Sequence, residues 1–162
     1  MPSRVALSSH ARILSTPTVP ATATYYWYGE VKRGPTAPSN AGKPARVAAT
    51  GVSCYSSKDL CEWRNEGLAL SADTTNPNSD ISPRAVIERP KVLYSRANDE
   101  YVMWMHVDDA AYQYATLGVA VSASPSGPFT YLGSERPHGG QESRDFTVWQ
   151  AGAYTRPLFS ST

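Results

Sequence analysis

Aromatic and acidic side chains alternate in two short apolar segments of this sequence, and together they could recognise a polyhydroxylated ring. Every second side chain of an extended strand lies on one face, so residues 25–30 and 101–108 each group aromatics with a polar terminal residue. Aromatic faces flanked by carboxylates suit a sugar. The same pattern also fits a half-buried sheet with a solvated end. The two sets are Tyr26, Tyr28 and Glu30, and Val102, Trp104, His106 and Asp108.

A second group of charged residues precedes the last apolar segment of the sequence. Glu142, Arg144 and Asp145 come directly before "FTVWQ", which predicts a buried strand with an acid at its mouth. The following "AGAYTRPLFSST" has no two-residue apolar period. We therefore expect residues 151–162 to pack poorly and to leave the preceding strand without a partner on one edge.

The overall composition excludes several classes of partner. The sequence of 162 residues holds 15 Lys and Arg against 14 Asp and Glu, a balance that argues against a nucleic-acid partner. No apolar stretch approaches transmembrane length, so no membrane partner is expected. The N-terminal "MPSRVALSSHARIL" lacks the long apolar core of a secretory signal peptide.

The two cysteines, Cys54 and Cys61, do not predict a metal site. No further ligands with a recognisable spacing accompany them. A disulfide between them is an alternative, although a strand residue and a nearby turn residue rarely have suitable geometry. We interpret both as free or structural thiols, and we expect neither a metal nor a cofactor.

The positioning elements are predicted to be strands, because short runs rich in Tyr, Trp, Val and Met alternate with Pro, Gly, Ser and Asn turns. Helix is expected only in short turns such as "SSKDL", and loops are expected at "RGPTAPSNAGKPA" and "LSADTTNPNSDISPRA". The fold class is therefore all-β. The predicted strands are Tyr25–Glu30, Arg46–Ser56, Lys91–Ser95, Glu100–Val107, Gly118–Ser122, Phe129–Leu132 and Phe146–Gln150.

An internal repeat indicates a propeller. "YYWYGE" resembles "YVMWMH", "GVSCYSSKDLCEW" resembles "GVAVSASPSGPFTY", and "ERPKVLY" more weakly resembles "SRDFTVW". A repeat of about four short strands is typical of a propeller blade, which cannot bury both faces alone. We expect two packed blades and the start of a third, less than half of a propeller. The predicted divisions are an irregular segment 1–24, a partial propeller 25–150 (blade one about 25–70, blade two about 86–135, blade three starting at 142–150) and a tail 151–162.

Four stretches resemble the five-bladed propellers of glycoside hydrolase family 43, and more closely the fungal exo-β-1,3-galactanases (galactan 1,3-β-galactosidases) within it. They are "TYYWYGE", "GVSCYSSKDLCEWRNEG", "VIERPKVLYSRANDEYVMWMHVDD" and "LGVAVSASPSGPFTYLGSERPHGGQESRDFTV". The resemblance implies an inverting, exo-acting and secreted hydrolase of the β-1,3-galactan backbone of arabinogalactan. Such chemistry needs a carboxylic acid for the leaving oxygen and a second group that activates water.

The resemblance also assigns roles to individual residues. Asp145 matches the aspartate that tunes the pKa of the catalytic acid. Glu88 matches a carboxylate that holds galactose hydroxyls, Glu30 an acidic sugar contact, and Tyr112 an aromatic that borders the sugar. Each carboxylate also has a plain structural explanation, since Glu30 could solvate a strand end, Glu88 could pair with Arg89, and Asp145 with its neighbour Arg144. We expect Glu30, Glu88 and Asp145 to converge.

The departures from the family pattern point to an incomplete enzyme. The segment "SSHARIL" stands where the galactanases have a glycine-rich motif, with His10 retained. The catalytic acid and the base-like glutamine of the family belong to later blades, beyond Thr162. We therefore expect this chain to be an inactive N-terminal fragment whose tail, 151–162, is not homologous to the family. His106 is expected to pack or hydrogen-bond within the sheet rather than to act as a base.

Three alternatives remain open from the sequence. Family 43 also includes arabinofuranosidases and xylosidases, although "ERPKV" and "MWMHVDD" favour the galactanases. A non-catalytic galactan-binding protein would keep the substrate contacts without hydrolysis. A structural remnant would bind no galactan oligomer at all.

Overall fold

Antiparallel strands make up most of the chain that is described. The computed structural model describes residues 24–37, 46–152 and 154–161, so His10 lies outside the described residues. A single turn, α1 (Pro137–Gly140), has left-handed backbone at His138 and Gly139. The strands are β1 (Tyr25–Ala37), β2 (Arg46–Ser57), β3 (Arg64–Ser71), β4 (Val86–Ser95), β5 (Glu100–Asp108), β6 (Thr116–Ser122), β7 (Thr130–Glu135), β8 (Phe146–Ala151) and β9 (Tyr154–Phe159).

The strands form three antiparallel meanders that follow one another along the chain. The first sheet has the order β1-β2-β3, the second β4-β5-β6-β7 and the third β8-β9. The leading strands are neighbours, since β1 contacts β4 and β4 contacts β8. The all-β fold class is thus confirmed, as is a succession of small sheets with their first strands adjacent.

The first sheet has three strands where about four were expected. After β3 the chain enters turns in which Asp73 accepts hydrogen bonds from the backbone N–H groups of Thr75 and Asn76. Such side-chain acceptors favour turns over a ladder. The loop predicted at "LSADTTNPNSDISPRA" is therefore present, and it leads directly into β4.

A large apolar core lies between the first and second sheets. From β5 it receives Met103, Met105 and Val107, which alternate along one face of the strand. From the first sheet it receives Val52 and Cys54, both fully buried. Its other buried members are Ala49, Ala69, Leu70, Ala72, Ile81, Ile87, Val92, Ala120 and Phe129, with Tyr26, Tyr28, Tyr101 and Tyr131 at its margin.

A smaller core lies between the second and third sheets. It consists of Leu93, Leu117, Phe146 and Val148, with Trp104 and Phe159 packed against it. The second sheet therefore has apolar side chains on both faces, as a blade placed between two others requires.

The expectation that residues 151–162 lack the pattern to extend the third sheet is wrong. Strand β9 pairs along β8 from Phe146↔Phe159 to Ala151↔Tyr154. Gly152 lies in the short hairpin loop with φ of 60°, a conformation that glycine adopts without strain. The side chains of β9 alternate between exposed and half-buried. The period is present, but its inner positions are Thr155, Pro157 and Phe159, a set too mixed to be recognised as an apolar face.

Both cysteines are free thiols, as expected; Cys54 is buried and Cys61 exposed. Burial is the main cause that raises the pKa of Cys54, to about 12.

No helix among the described residues is long and apolar enough to cross a membrane. Within the same described ranges, no group of three or more His, Cys, Asp and Glu side chains could hold a metal ion.

Candidate functional site

Glu88, on β4, is the centre of a network of charged and polar side chains. Its Oε1 accepts hydrogen bonds from Lys32 Nζ at 2.8 Å and from the Tyr112 hydroxyl at 2.9 Å. Its Oε2 accepts one from Arg89 at 3.2 Å. A carboxylate offers about four acceptor positions, so Glu88 retains capacity for about one further donor.

The network continues from Glu88 to the first and third sheets. Lys32 also lies 3.3 Å from Glu30 through Nζ and Oε2. On the other side, Arg89 Nε lies 2.5 Å from Asp145 Oδ1, immediately before β8. The expected convergence of Glu30, Glu88 and Asp145 is therefore confirmed in geometry, and two cations link the three acids.

A bulge in β4 orients the side chains of Glu88 and Arg89 toward the network. The pairing of β4 with β5 shifts between Glu88 and Lys91, where Arg89 and Pro90 form a bulge. Arg89 has φ of 54°, an uncommon value for a residue other than glycine. Lys91 Nζ donates to the Arg89 carbonyl at 3.1 Å and supports this conformation. Strained backbone of this kind often marks a functional site.

The electrostatics of the network keep Glu88 ionised. Burial alone would raise the pKa of Glu88, but the hydrogen bond and charge of Lys32, the Tyr112 hydroxyl and the charge of Arg89 outweigh it, so the pKa is lowered. Conversely, burial would lower the pKa of Lys32, yet its hydrogen bond to Glu88 and the acids around it raise it. Glu88 is thus an acceptor of hydrogen bonds and a poor proton donor at neutral pH.

Tyr112 completes the site from the loop after β5. Its backbone is left-handed, with φ of 56°, and its ring stacks on that of His106 with an interplanar angle of 15° and centroids 6.3 Å apart. Burial, and then the hydrogen bond to Glu88, raise the pKa of the Tyr112 hydroxyl. The phenol is therefore held as a neutral donor to Glu88.

His106 is a buried structural residue, as expected. Its Nδ1 donates to the Ser143 carbonyl at 2.8 Å, since a carbonyl can only accept. Its Nε2 lies 3.2 Å from Asp108 Oδ2, although this contact is not directed well enough to count as a hydrogen bond to that oxygen. His106 therefore ties the second sheet to the segment that leads into the third.

The alternating aromatics do not form a sugar-facing surface. Tyr26 and Tyr28 pack against the core between the first two sheets, whereas Trp104 packs against the second core and Asp108 is buried. The half-buried sheet is therefore the correct interpretation of the pattern. Of the side chains in the alternating sets, Glu30 is the one that joins the network around Glu88.

Two members of the site were not predicted from the sequence. Lys32 lies beyond the predicted end of β1, but it has the same parity as Glu30, a signal that it shares the same face. Arg89 pairs with its sequence neighbour Glu88 and also reaches Asp145, so that it bridges the two acids. Asp145 therefore pairs with Arg89, while Arg144 pairs with Glu142.

The structure is similar to solved exo-β-1,3-galactanases. The enzyme from Phanerochaete chrysosporium, crystallised as a variant with β-1,3-galactotriose, has 35% identity and a TM-score of 0.76 over 98% of this chain and 33% of its own. The Clostridium thermocellum enzyme has 33% identity and a TM-score of 0.74 over 98% and 32%. A putative exo-β-1,3-galactanase from Bifidobacterium bifidum has 29% identity and a TM-score of 0.76 over 94% and 44%.

The chain spans about a third of the length of the first of these enzymes. No family model matches the chain, and no curated protein sequence matches it. Similar structures also include β-1,3-galactosidases named as family 43 members. The resemblance noted in the sequence is therefore confirmed by structure over about one third of such a propeller enzyme.

Proposed function

We propose, from the premise that this chain is built like about one third of a family 43 exo-β-1,3-galactanase, that its ion-pair network holds the terminal galactose of β-1,3-galactan. The observation that carries the proposal is the meeting of Glu30, Glu88, Tyr112 and Asp145, from three sheets, around one partly buried carboxylate. Fixed acceptors and cationic donors at one place suit a ring rich in hydroxyl groups.

The roles within this proposed site follow from exposure and charge. Glu88, whose side chain is 12% exposed, accepts a sugar hydroxyl at its remaining position. Tyr112 borders the sugar, and Glu30 contacts it from the first sheet. Asp145, whose side chain is 74% exposed, acts by tuning the pKa of a catalytic acid that the rest of a complete propeller supplies. In that enzyme the reaction is exo-acting and inverting, and it takes place outside the cell on arabinogalactan.

By itself, the 162-residue chain binds galactose without hydrolysing galactan. The lowered pKa of Glu88 supports this part of the proposal for that residue, because it makes Glu88 unsuited to be the protonated carboxylic acid that an inverting glycosidase needs. A non-catalytic galactan-binding role is thus the second candidate function for the chain.

Titration calorimetry of the chain with D-galactose and β-1,3-galactobiose tests the proposal, with D-glucose as the control epimer. Binding of galactose and galactobiose in preference to glucose supports the proposal, and failure of both sugars to bind contradicts it. Incubation with β-1,3-galactan tests the second part. Release of galactose from β-1,3-galactan by the 162-residue chain would overturn the non-catalytic role.

A further inference from the structure

The segment Glu142–Asp145 contacts three different parts of the site through consecutive residues. The Ser143 carbonyl accepts the hydrogen bond from His106. Arg144 NH1 donates to the Tyr112 carbonyl at 3.1 Å. Asp145 pairs with Arg89. The function proposed above uses Asp145 and leaves the role of Arg144 unexplained.

The loop that carries Tyr112 needs external support. Tyr112 and Ala115 both have left-handed backbone, with φ of 56° and 47°, a conformation that costs on the order of 1 kcal/mol or more for residues other than glycine. Asp109 accepts from the N–H of Gln113, and Asp108 from the N–H of Tyr114. These bonds satisfy the N–H groups of the loop but leave its carbonyls to other donors.

Two arginines bind those carbonyls from outside the loop. Arg136 donates from Nε to the Tyr114 carbonyl and from NH2 to the Gln113 carbonyl, both at 2.7 Å. Arg144 binds the Tyr112 carbonyl, so three consecutive carbonyls accept from guanidinium groups. The planar fork of arginine is suited to such contacts, and its charge strengthens them.

Glu142 joins the two arginines. Its Oε2 accepts from Arg144 Nε at 2.8 Å, and its Oε1 lies 3.6 Å from Arg136 NH2. The three residues Arg136, Glu142 and Arg144, here called the arginine clamp, are only partly exposed. The clamp therefore fixes the loop against the segment that begins the third sheet.

We propose that Arg144 is a positioning residue for sugar binding, which acts by holding Tyr112 so that its hydroxyl meets Glu88. This inference deepens the proposed function and rests on it. Arg144 binds the backbone of Tyr112 and is adjacent in sequence to Asp145, so one short segment sets the position of both contacts. Arg144 itself does not touch the sugar.

The first test compares galactose affinity in Arg144→Gln and Arg64→Gln. Arg64 is a matched control, because it pairs with a glutamate two residues away, Glu66, at 2.9 Å in the first sheet. We expect Arg144→Gln to weaken binding about 2- to 30-fold, the range for residues that act through a neighbour, and Arg64→Gln to leave it unchanged. Combined with Tyr112→Phe, Arg144→Gln should add little further loss. Fully additive losses would overturn the proposal, since Arg144 would then act independently of Tyr112.

The second test needs no ligand. Amide hydrogen exchange at residues 112–114 should become faster in Arg144→Gln, while exchange in β5 and in Arg64→Gln stays at the wild-type rate. Exchange at 112–114 that does not change would overturn the clamp. If the wild-type chain binds no galactose, the proposed function fails, and the exchange measurement still decides whether Arg144 holds the loop.

Discussion

Arg89 in the second sheet and Asp145 at the start of the third meet through Nε and Oδ1 at 2.5 Å. Because the Asp145 side chain is largely exposed, this pair contributes no more than about 1 kcal/mol to stability. Contacts on either side set the positions of the two side chains instead. Lys91 donates a hydrogen bond to the Arg89 carbonyl, and His106 donates one to the Ser143 carbonyl. The Arg89–Asp145 pair therefore marks how the second and third sheets are placed against each other, and it contributes little to stability.

Replacing Glu88 by Gln should weaken galactose binding tenfold or more. The change removes the charge that Lys32 and Arg89 share, and hydrogen bonds to charged groups are worth about 1.5–3 kcal/mol. Calorimetric titration of Glu88→Gln measures the effect. Glu66→Gln is the matched control, because Glu66 also pairs with an arginine and accepts from a serine hydroxyl, but in β3. Equal losses in both variants would show that Glu88 has no special role in binding.

The stability of the protein should depend on pH through Glu88 and Lys32. The pKa of Glu88 is lowered by folding, so its contribution is present above its ordinary value of 4.5 and is lost as pH falls through the folded value. The pKa of Lys32 is raised, so its contribution is present below 10.5 and is lost as pH rises through the folded value. Urea unfolding between pH 3 and pH 11 measures both limbs. An acid limb equally steep in Glu88→Gln would contradict the assignment to Glu88.

His106→Leu should destabilise the protein by about 2–5 kcal/mol. It removes the donor to the Ser143 carbonyl and the ring that faces the buried Asp108, and buried polar groups without partners are costly. Met103→Leu, on the same strand but in the apolar core, should cost less than about 1.5 kcal/mol because it conserves volume. Urea unfolding compares the two. A His106→Leu variant as stable as Met103→Leu would disprove the structural role of His106.

Gly51→Ala should destabilise the first sheet by more than about 2 kcal/mol. Gly51 has φ of 140°, and an added Cβ would lie 2.0 Å from the Leu70 carbonyl oxygen. Gly67→Ala is the control, because its φ of 94° is also unfavourable for alanine but no atom lies within 4 Å of its added Cβ. It should cost about 1 kcal/mol. Thermal unfolding that ranks Gly67→Ala as the worse variant would refute the steric argument.

The double variant Trp149→Thr, Leu158→Thr should reduce self-association of the chain. Both side chains are 58% exposed, and the pairing of β8 with β9 places them on one outer face with Tyr154. Exposed apolar faces promote association. Light scattering at increasing concentration measures the effect. Leu132→Thr, which removes an exposed leucine from β7, is the control, and an equal improvement there would mean that the β8–β9 face is not the cause.

The strands with clear apolar alternation could be predicted from the sequence, and so could the convergence of Glu30, Glu88 and Asp145. Prediction failed at β3 because the first half of "RNEGLALS" is polar and largely exposed, so packing rather than pattern decides its pairing. The bridge formed by Arg89 could not be predicted either. A residue before proline normally adopts extended backbone, whereas Arg89 has φ of 54°. Lys32 was missed because its role depends on a residue more than fifty positions away, which no local pattern encodes.

The dispersal of the network over three sheets has a consequence for the order of events in folding. Each meander can form from neighbouring strands, but the carboxylates that meet at Glu88 are distant along the chain, and such long-range contacts form slowly. Glu30 and Lys32 are synthesised before Asp145, which lies more than a hundred residues further along the chain. The network around Glu88 is thus complete only when the third sheet has docked, and formation of the Arg89–Asp145 pair reports that docking more directly than the amount of strand does.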